Sequence, residues 1–315
     1  MKADEETRGS CSYGTVVGET RTVVVDGILQ VYRIAGEGPV CLVHSGGPGV
    51  DPAYMRLPEL EHSLTLVYLD PVGSGGSDLL PDGDYSVSRY GHFAKAVLDD
   101  IGAPTCYFLG HSHGGFVGLQ FAIEHPDRLA GLILYDTVPV NGRELRETAT
   151  KEMAAFGQRW PDRPEAAAAV RIWEGVNAAQ TIKVADDDSY QRYLNGILPA
   201  YFADYRKTVE QIGTFTLQVT RDPNRQPVTW NVRDRLSSIR TPSLVIVGTY
   251  DFICAPRFAY EMCAAMPHSQ LHELHESGHF GHLEQADEFA ASVSDFIRSL
   301  ERELRDDRHG ADRLG

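Results

Sequence analysis

Short apolar runs rich in β-branched residues, each bounded by Gly, Pro or Asp, open the chain. Residues 21–26 (RTVVVD), 28–34 (ILQVYRI), 39–44 (PVCLVH) and 64–69 (LTLVYL) each read as a strand, and Gly27 between the first two predicts a hairpin. The period then changes. Residues 86–101 place Tyr90, Phe93, Val97 and Ile101 on one helical face, 105–110 (TCYFLG) read as a buried strand, 113–125 as a helix stopped by Pro126, and 129–135 (LAGLILY) as a sixth strand. Strands alternating with helices in this way predict an α/β fold, with a mostly parallel twisted sheet flanked by helices on both faces.

The rhythm stops over residues 140–230, where Ala-rich, charge-dotted stretches are separated by Pro161, Pro164, Gly175, Gly196 and Pro199. This predicts a helical cap inserted between strands 6 and 7, with residues 1–139 and 231–315 forming the core. The alternation resumes with a strand at 243–248 (SLVIVG), a helix at 256–266 and a strand at 270–276. In the last helix Phe289, Val293, Phe296, Ile297, Leu300 and Leu304 make an apolar stripe. The charged residues 305–315 are expected to fray from it.

Composition narrows the function classes. With 29 basic and 44 acidic residues the formal charge is −15, which repels phosphate backbones and anionic lipid, so neither nucleic acid nor a membrane surface is an expected partner. Residues 140–230 carry 12 basic and 12 acidic side chains, so the excess lies wholly on the flanking segments and the cap offers no net field to a charged substrate. Five scattered cysteines, Cys11, Cys41, Cys106, Cys254 and Cys263, contain no C-x-x-C pair and predict free thiols in a reducing compartment. The acidic, polar N-terminus has no apolar leader, and no run approaches the roughly 18 apolar residues of a membrane span, so the expected location is cytoplasmic.

The chemistry concentrates in three places. Gly110-His111-Ser112-His113-Gly114 has the G-x-S-x-G form between a predicted strand and a predicted helix, where flanking glycines allow a sharp turn that lifts the serine hydroxyl above the sheet edge. A serine needs a base, and the base needs an orienting acid. Asp251 follows the strand 243–248, and His279 follows the strand 270–276, so the two fall in the order nucleophile, acid, base. Asp136, at the end of the sixth strand, is the competing acid. The third place is His44-Ser45-Gly46-Gly47-Pro48-Gly49, directly after a strand, where Gly46 or Gly47 supplies one backbone N–H to an oxyanion and His113 the other. The segment 275–279 also matches H-E-x-x-H, but Ser277-Gly278 disfavours the helix that a zinc pair requires, so no metal or cofactor is expected.

With HSGGPG at 44–49, DPVGSGGSD at 70–78, GHSHGG at 110–115, the Asp251 loop and SGHF at 277–280, the chain resembles the α/β-hydrolase superfamily over nearly its whole length, and within it the proline iminopeptidase group. The resemblance implies a serine hydrolase using Ser112, Asp251 and His279 on a small molecule or short peptide, with aminopeptidase action favoured. It also implies that Glu174, beside Trp173, binds a free amino terminus. Ser45, Val72, His111 and His113 depart from that group's pattern, so an esterase or lactonase, or non-hydrolytic chemistry such as cyclisation or epimerisation on the same fold, stands as the alternative.

Overall fold

Eight strands form one sheet in the computed structural model, which describes residues 18–178 and 186–312. In chain order they are β1 (Glu19–Val25), β2 (Ile28–Ala35), β3 (Val40–His44), β4 (Thr65–Asp70), β5 (Cys106–His111), β6 (Leu129–Tyr135), β7 (Ser243–Gly248) and β8 (Ser269–Leu274). Across the sheet they run β1-β2-β4-β3-β5-β6-β7-β8. The expected hairpin joins β1 to β2 through Asp26 (φ 53°) and Gly27 (φ 79°), the two positive-φ residues of a tight hairpin turn. β2 also pairs antiparallel with β4, and every later pairing is parallel.

The parallel strands are apolar nearly throughout because both faces are covered. On β5, β6 and β7, Tyr107, Leu109, Ile133, Tyr135, Leu244 and Ile246 belong to one core, and the alternate residues Phe108, Leu132, Leu134, Val245 and Val247 to the other. Helices α1 (Val87–Asp100) and α2 (His113–Glu124) bring Tyr90, Phe93, Val117 and Leu119 to the second core.

Between β6 and β7 the chain makes a helical excursion through α3 (Arg143–Arg159), α4 (Pro164–Ala178), α5 (Asp187–Ile197) and α6 (Tyr205–Ile212). It leaves and returns at one point, where Val140 bridges Asn231 and the Asn141 side chain bonds both Trp230 N–H (2.9 Å) and the Val228 carbonyl (2.9 Å). After β7 come α7 (Pro256–Ala265), the short α8 (Gly281–Glu284) and α9 (Ala286–Asp312).

Phe289, Val293, Phe296, Ile297 and Leu300 of α9 are buried in the first core, as their spacing predicts. The side chain of Leu304 lies outside the described residues, as does Cys11. α9 continues to Asp312, where a frayed tail was expected, because Arg, Glu and Leu are good helix formers and polarity alone does not end a helix. Cys41, Cys106, Cys254 and Cys263 are free thiols, and no described helix is long and apolar enough to cross a membrane.

Candidate active site

Ser112 sits in the turn between β5 and α2 with φ 53° and ψ −118°, a conformation that costs a non-glycine residue energy and is held by its neighbours. Its N–H donates to the Tyr135 carbonyl (2.9 Å), and its carbonyl accepts from Gly115 N–H (2.9 Å) and the Thr137 hydroxyl (2.7 Å). The flanking glycines are steric requirements. A Cβ on Gly110 would stand 2.2 Å from the Gly114 carbonyl oxygen, and one on Gly114 would stand 2.1 Å from that of His44. His113 opens α2, so its N–H is one of the first-turn donors that no intrahelical carbonyl reaches.

The loops after β7 and β8 bring Asp251 and His279 together. His279 Nδ1 lies 2.7 Å from Asp251 Oδ2, and both residues are buried. Asp251 Oδ1 accepts from the N–H groups of Ile253 (2.9 Å) and Cys254 (3.0 Å), which fixes the carboxylate. The competing acid, Asp136, lies beside Asp251, not in place of it. One Asp136 oxygen accepts from Gly248 N–H (2.8 Å), and the other is buried with no donor and faces the Asp251 side chain. Burial, then the negative charge of Asp251, pushes the Asp136 carboxyl well above the usual carboxylate range, so it keeps its proton. Cys254 also touches Ser112, and burial raises its thiol well above the ordinary value.

The oxyanion loop differs in one respect from expectation. Gly46 packs against Ser112 so closely that a Cβ there would come 2.8 Å from Ser112 Cβ, which explains the glycine. Its N–H, however, donates to the Tyr54 hydroxyl (2.6 Å), so of the two expected donors Gly46 is engaged within the protein. Tyr54 in turn lies 2.7 Å from His111 Nδ1, and His111 Nε2 lies 2.8 Å from the His279 carbonyl. That carbonyl can only accept, so His111 carries its proton on Nε2 and takes the Tyr54 proton on Nδ1. Burial, helped by His279 and His282, depresses His111 well below the ordinary value and keeps it neutral. The result is a hydrogen-bonded chain from the oxyanion loop to the backbone of the His279 loop.

The helical excursion docks on that same loop. His279 N–H donates to the Tyr201 carbonyl (2.6 Å), and Tyr201 stacks on Phe280 with ring centroids 5.6 Å apart. Glu284 clamps the two segments: Oε2 accepts from Gly278 N–H (2.6 Å) and Oε1 from Ala203 N–H (2.8 Å). Burial pushes Glu284 up to about 7, against the opposing pull of these donors. The folded protein therefore holds this proton more tightly than the unfolded chain, and the associated stability is lost as pH rises from the ordinary glutamate value of 4.5 through about 7. We expect unfolding free energy measured in urea to fall by up to about 3 kcal/mol across that interval, and Glu284→Gln to flatten the decline. Equal slopes in the two proteins would remove Glu284 as its source.

A cavity of about 340 Å³ opens beside Ser112 and His279. Trp173, Tyr190, Tyr193, Leu194, Ile197 and Leu217 of the excursion give it an apolar wall. Trp173 is thus where a substrate-contacting residue should be, with its indole N–H on the Thr150 hydroxyl (3.1 Å). Glu174 is not. It is exposed and does not line this cavity, because adjacent residues on a helix point about 100° apart and Trp173 takes the inward position. No acidic side chain lines this cavity among the described residues, so the expected amino-terminus anchor is absent from it.

The H-E-x-x-H match is likewise resolved by conformation. β8 ends at Leu274, and 275–279 form a turn and loop in which His275 is exposed and His279 buried, so the two histidines share no helical face. Ligand atoms of His111, Asp136 and His279, and of Asp251, Cys254 and His279, do lie within 4.8 Å of one another. The imidazole nitrogens there are engaged: both of His111, and His279 Nδ1 on Asp251.

Residues that motif reading missed are Tyr54, Asp136 as a neighbour of the pair, Cys254 and Glu284. Each reaches the site from a separate part of the chain, and only Asp136, at a strand end, carried a local signal.

Comparison with known proteins agrees with this geometry. The model of a family described as alpha/beta hydrolase fold matches residues 38–286. A 2-hydroxymuconate semialdehyde hydrolase of Pseudomonas putida is 29% identical over 283 residues, covering 88% of this chain and 93% of the relative. Among solved structures, a proline iminopeptidase of Mycobacterium smegmatis superposes with a TM-score of 0.69 at 22% identity, covering 91% of this chain and 100% of that one. An enol-lactonase of Burkholderia xenovorans LB400 gives 0.63 at 22%, covering 88% and 100%. With its sheet order and a family match spanning most of its length, this chain belongs to the α/β hydrolase fold family.

Proposed function

We propose that the protein is a serine hydrolase of small esters or lactones that works through an acyl-enzyme on Ser112. The observation that carries this reading is the buried His279–Asp251 pair, 2.7 Å apart, on the same cavity as a serine held in a strained strand-to-helix turn. His279 Nε2 takes the Ser112 proton as Oγ attacks the substrate carbonyl. Asp251 holds the Nδ1–H tautomer and the imidazolium that forms. The Gly47 and His113 N–H groups bind the developing oxyanion, at the positive end of α2. His279 then protonates the leaving group, and water, activated by the same imidazole, releases the acid.

Ester or lactone is preferred over an aminopeptidase substrate on electrostatic grounds. A peptide's ammonium group needs a carboxylate, and among the described residues none lines the cavity; Arg146, which does line it, would repel an ammonium, and the aromatic and aliphatic side chains suit an uncharged group. The enol-lactonase among the similar solved structures is consistent with this choice. A panel of p-nitrophenyl esters, lactones and aminoacyl-p-nitroanilides tests it. Esters or lactones should exceed prolyl-p-nitroanilide in kcat/KM by about 100-fold or more. Dominant anilide turnover would overturn the assignment.

A further inference from the structure

Ser112 also borders a second cavity, of about 360 Å³, whose lining includes Gly47, Tyr85, His113, Arg225 and Gln226. No acidic side chain lines this one either among the described residues. Arg225 is its only described cation. The guanidinium stacks 3.7 Å over the Tyr85 ring, and Nη1 donates to the Tyr90 hydroxyl (3.0 Å). Nη2 is buried and has no hydrogen-bond partner, and Arg225 forms no ion pair among the described residues. Asp222, the nearby carboxylate, is occupied elsewhere: Oδ2 accepts from the Tyr85 hydroxyl (2.6 Å) and Oδ1 from Asn224 N–H (2.8 Å).

A guanidinium fixed by stacking and by one hydrogen bond in the wall of a cavity without acidic side chains, with another donor buried and left orphaned, is costly unless something completes its charge. The planar oxyanion that suits a guanidinium edge is a carboxylate. His113 adds a neutral imidazole to the same wall, since burial, with His44 and Arg225 adding to it, depresses it to about 3, so it can donate without competing charge.

We propose that the Arg225 cavity holds a carboxylate of the substrate, so that the enzyme acts on acidic esters or lactones whose apolar portion fills the cavity walled by Trp173 and Tyr190 and whose carbonyl lies over Ser112. This rests on the serine hydrolase reading above and goes beyond it by naming the substrate class. It also locates, in a cap segment of zero net charge, one cation that the overall count conceals.

Two matched pairs test it: 4-nitrophenyl hydrogen succinate against 4-nitrophenyl butyrate, with the acid on the acyl group, and 4-acetoxybenzoate against phenyl acetate, with the acid on the leaving group. The protein should prefer the acidic member of at least one pair by about tenfold or more in kcat/KM. Arg225→Gln should then reduce that member's kcat/KM about tenfold more than its neutral partner's, mainly through KM, and Arg225→Lys should recover part of the difference. In the unmutated protein, glutarate should inhibit neutral-ester hydrolysis competitively and glutaramide should not. No acid preference in either pair, no selective inhibition by glutarate, or equal losses on both members in Arg225→Gln would each overturn the proposal. Neutral-ester turnover that depends on Ser112 would persist in all those cases, so failure here is distinguishable from failure of the hydrolase reading.

Discussion

Replacing Ser112 by alanine should lower kcat/KM on the best ester of the panel by about 10⁴- to 10⁶-fold, with KM changed much less. The expectation follows from where Ser112 stands. Its hydroxyl, proposed as the attacking group, is held by a strained turn on the cavity, and alanine keeps that backbone while removing the oxygen. Because the Thr137 and Gly115 bonds are to the Ser112 carbonyl, they survive the substitution, and the variant should fold like the parent. Any residual rate reports oxyanion binding and proximity alone. A loss of less than about tenfold, with the fold intact by circular dichroism, would mean that another group attacks the carbonyl.

The next largest effect separates two neighbouring acids. Asp251→Asn should cost about 10³- to 10⁴-fold in kcat, because an amide facing His279 Nδ1 no longer favours the tautomer with its proton there and cannot stabilise the imidazolium. Asp136→Asn should cost less than about tenfold. Asp136 already behaves as a neutral acid: one oxygen accepts from Gly248 N–H, the other bears the proton, and asparagine reproduces that arrangement of acceptor and donor. The contrast arises although both carboxyls follow a core strand and both are buried. Asp251 instead faces groups that suit a carboxylate, two backbone N–H donors and His279. Measuring kcat for both variants on one ester checks this. A larger loss for Asp136→Asn than for Asp251→Asn would reverse the assignment of the orienting acid.

The strand and helix pattern announced the sheet, the turn at Ser112, and the loops of Asp251 and His279, since each rests on local signals: β-branched runs, flanking glycines, and loop residues after a strand. What the sequence withheld depends on contacts between distant segments. Tyr54 reaches Gly46 and His111 from an irregular stretch with no motif. Glu284 looks like an ordinary acidic residue near a helix start, yet its burial against Ala203 and Gly278 makes it a clamp. Glu174 was misplaced because a W-E pair reads as a unit in sequence although its two members diverge by about 100° on a helix. The neutral charge count of residues 140–230 was arithmetically right and locally uninformative, since a single unpaired guanidinium at Arg225 sets the field in its cavity.

The central claim is that Ser112 becomes covalently attached to the substrate, and intact-mass and peptide mass spectrometry after reaction with a fluorophosphonate test it most directly. Cys254 lies against Ser112 and offers the alternative attachment point, which makes the location of the adduct informative. The account predicts one equivalent of adduct, on the peptide containing Ser112, with concurrent loss of ester hydrolysis and no labelling of Ser112→Ala. Active protein that remains unlabelled, or an adduct that persists on Cys254 or elsewhere in Ser112→Ala with the same loss of activity, would contradict it.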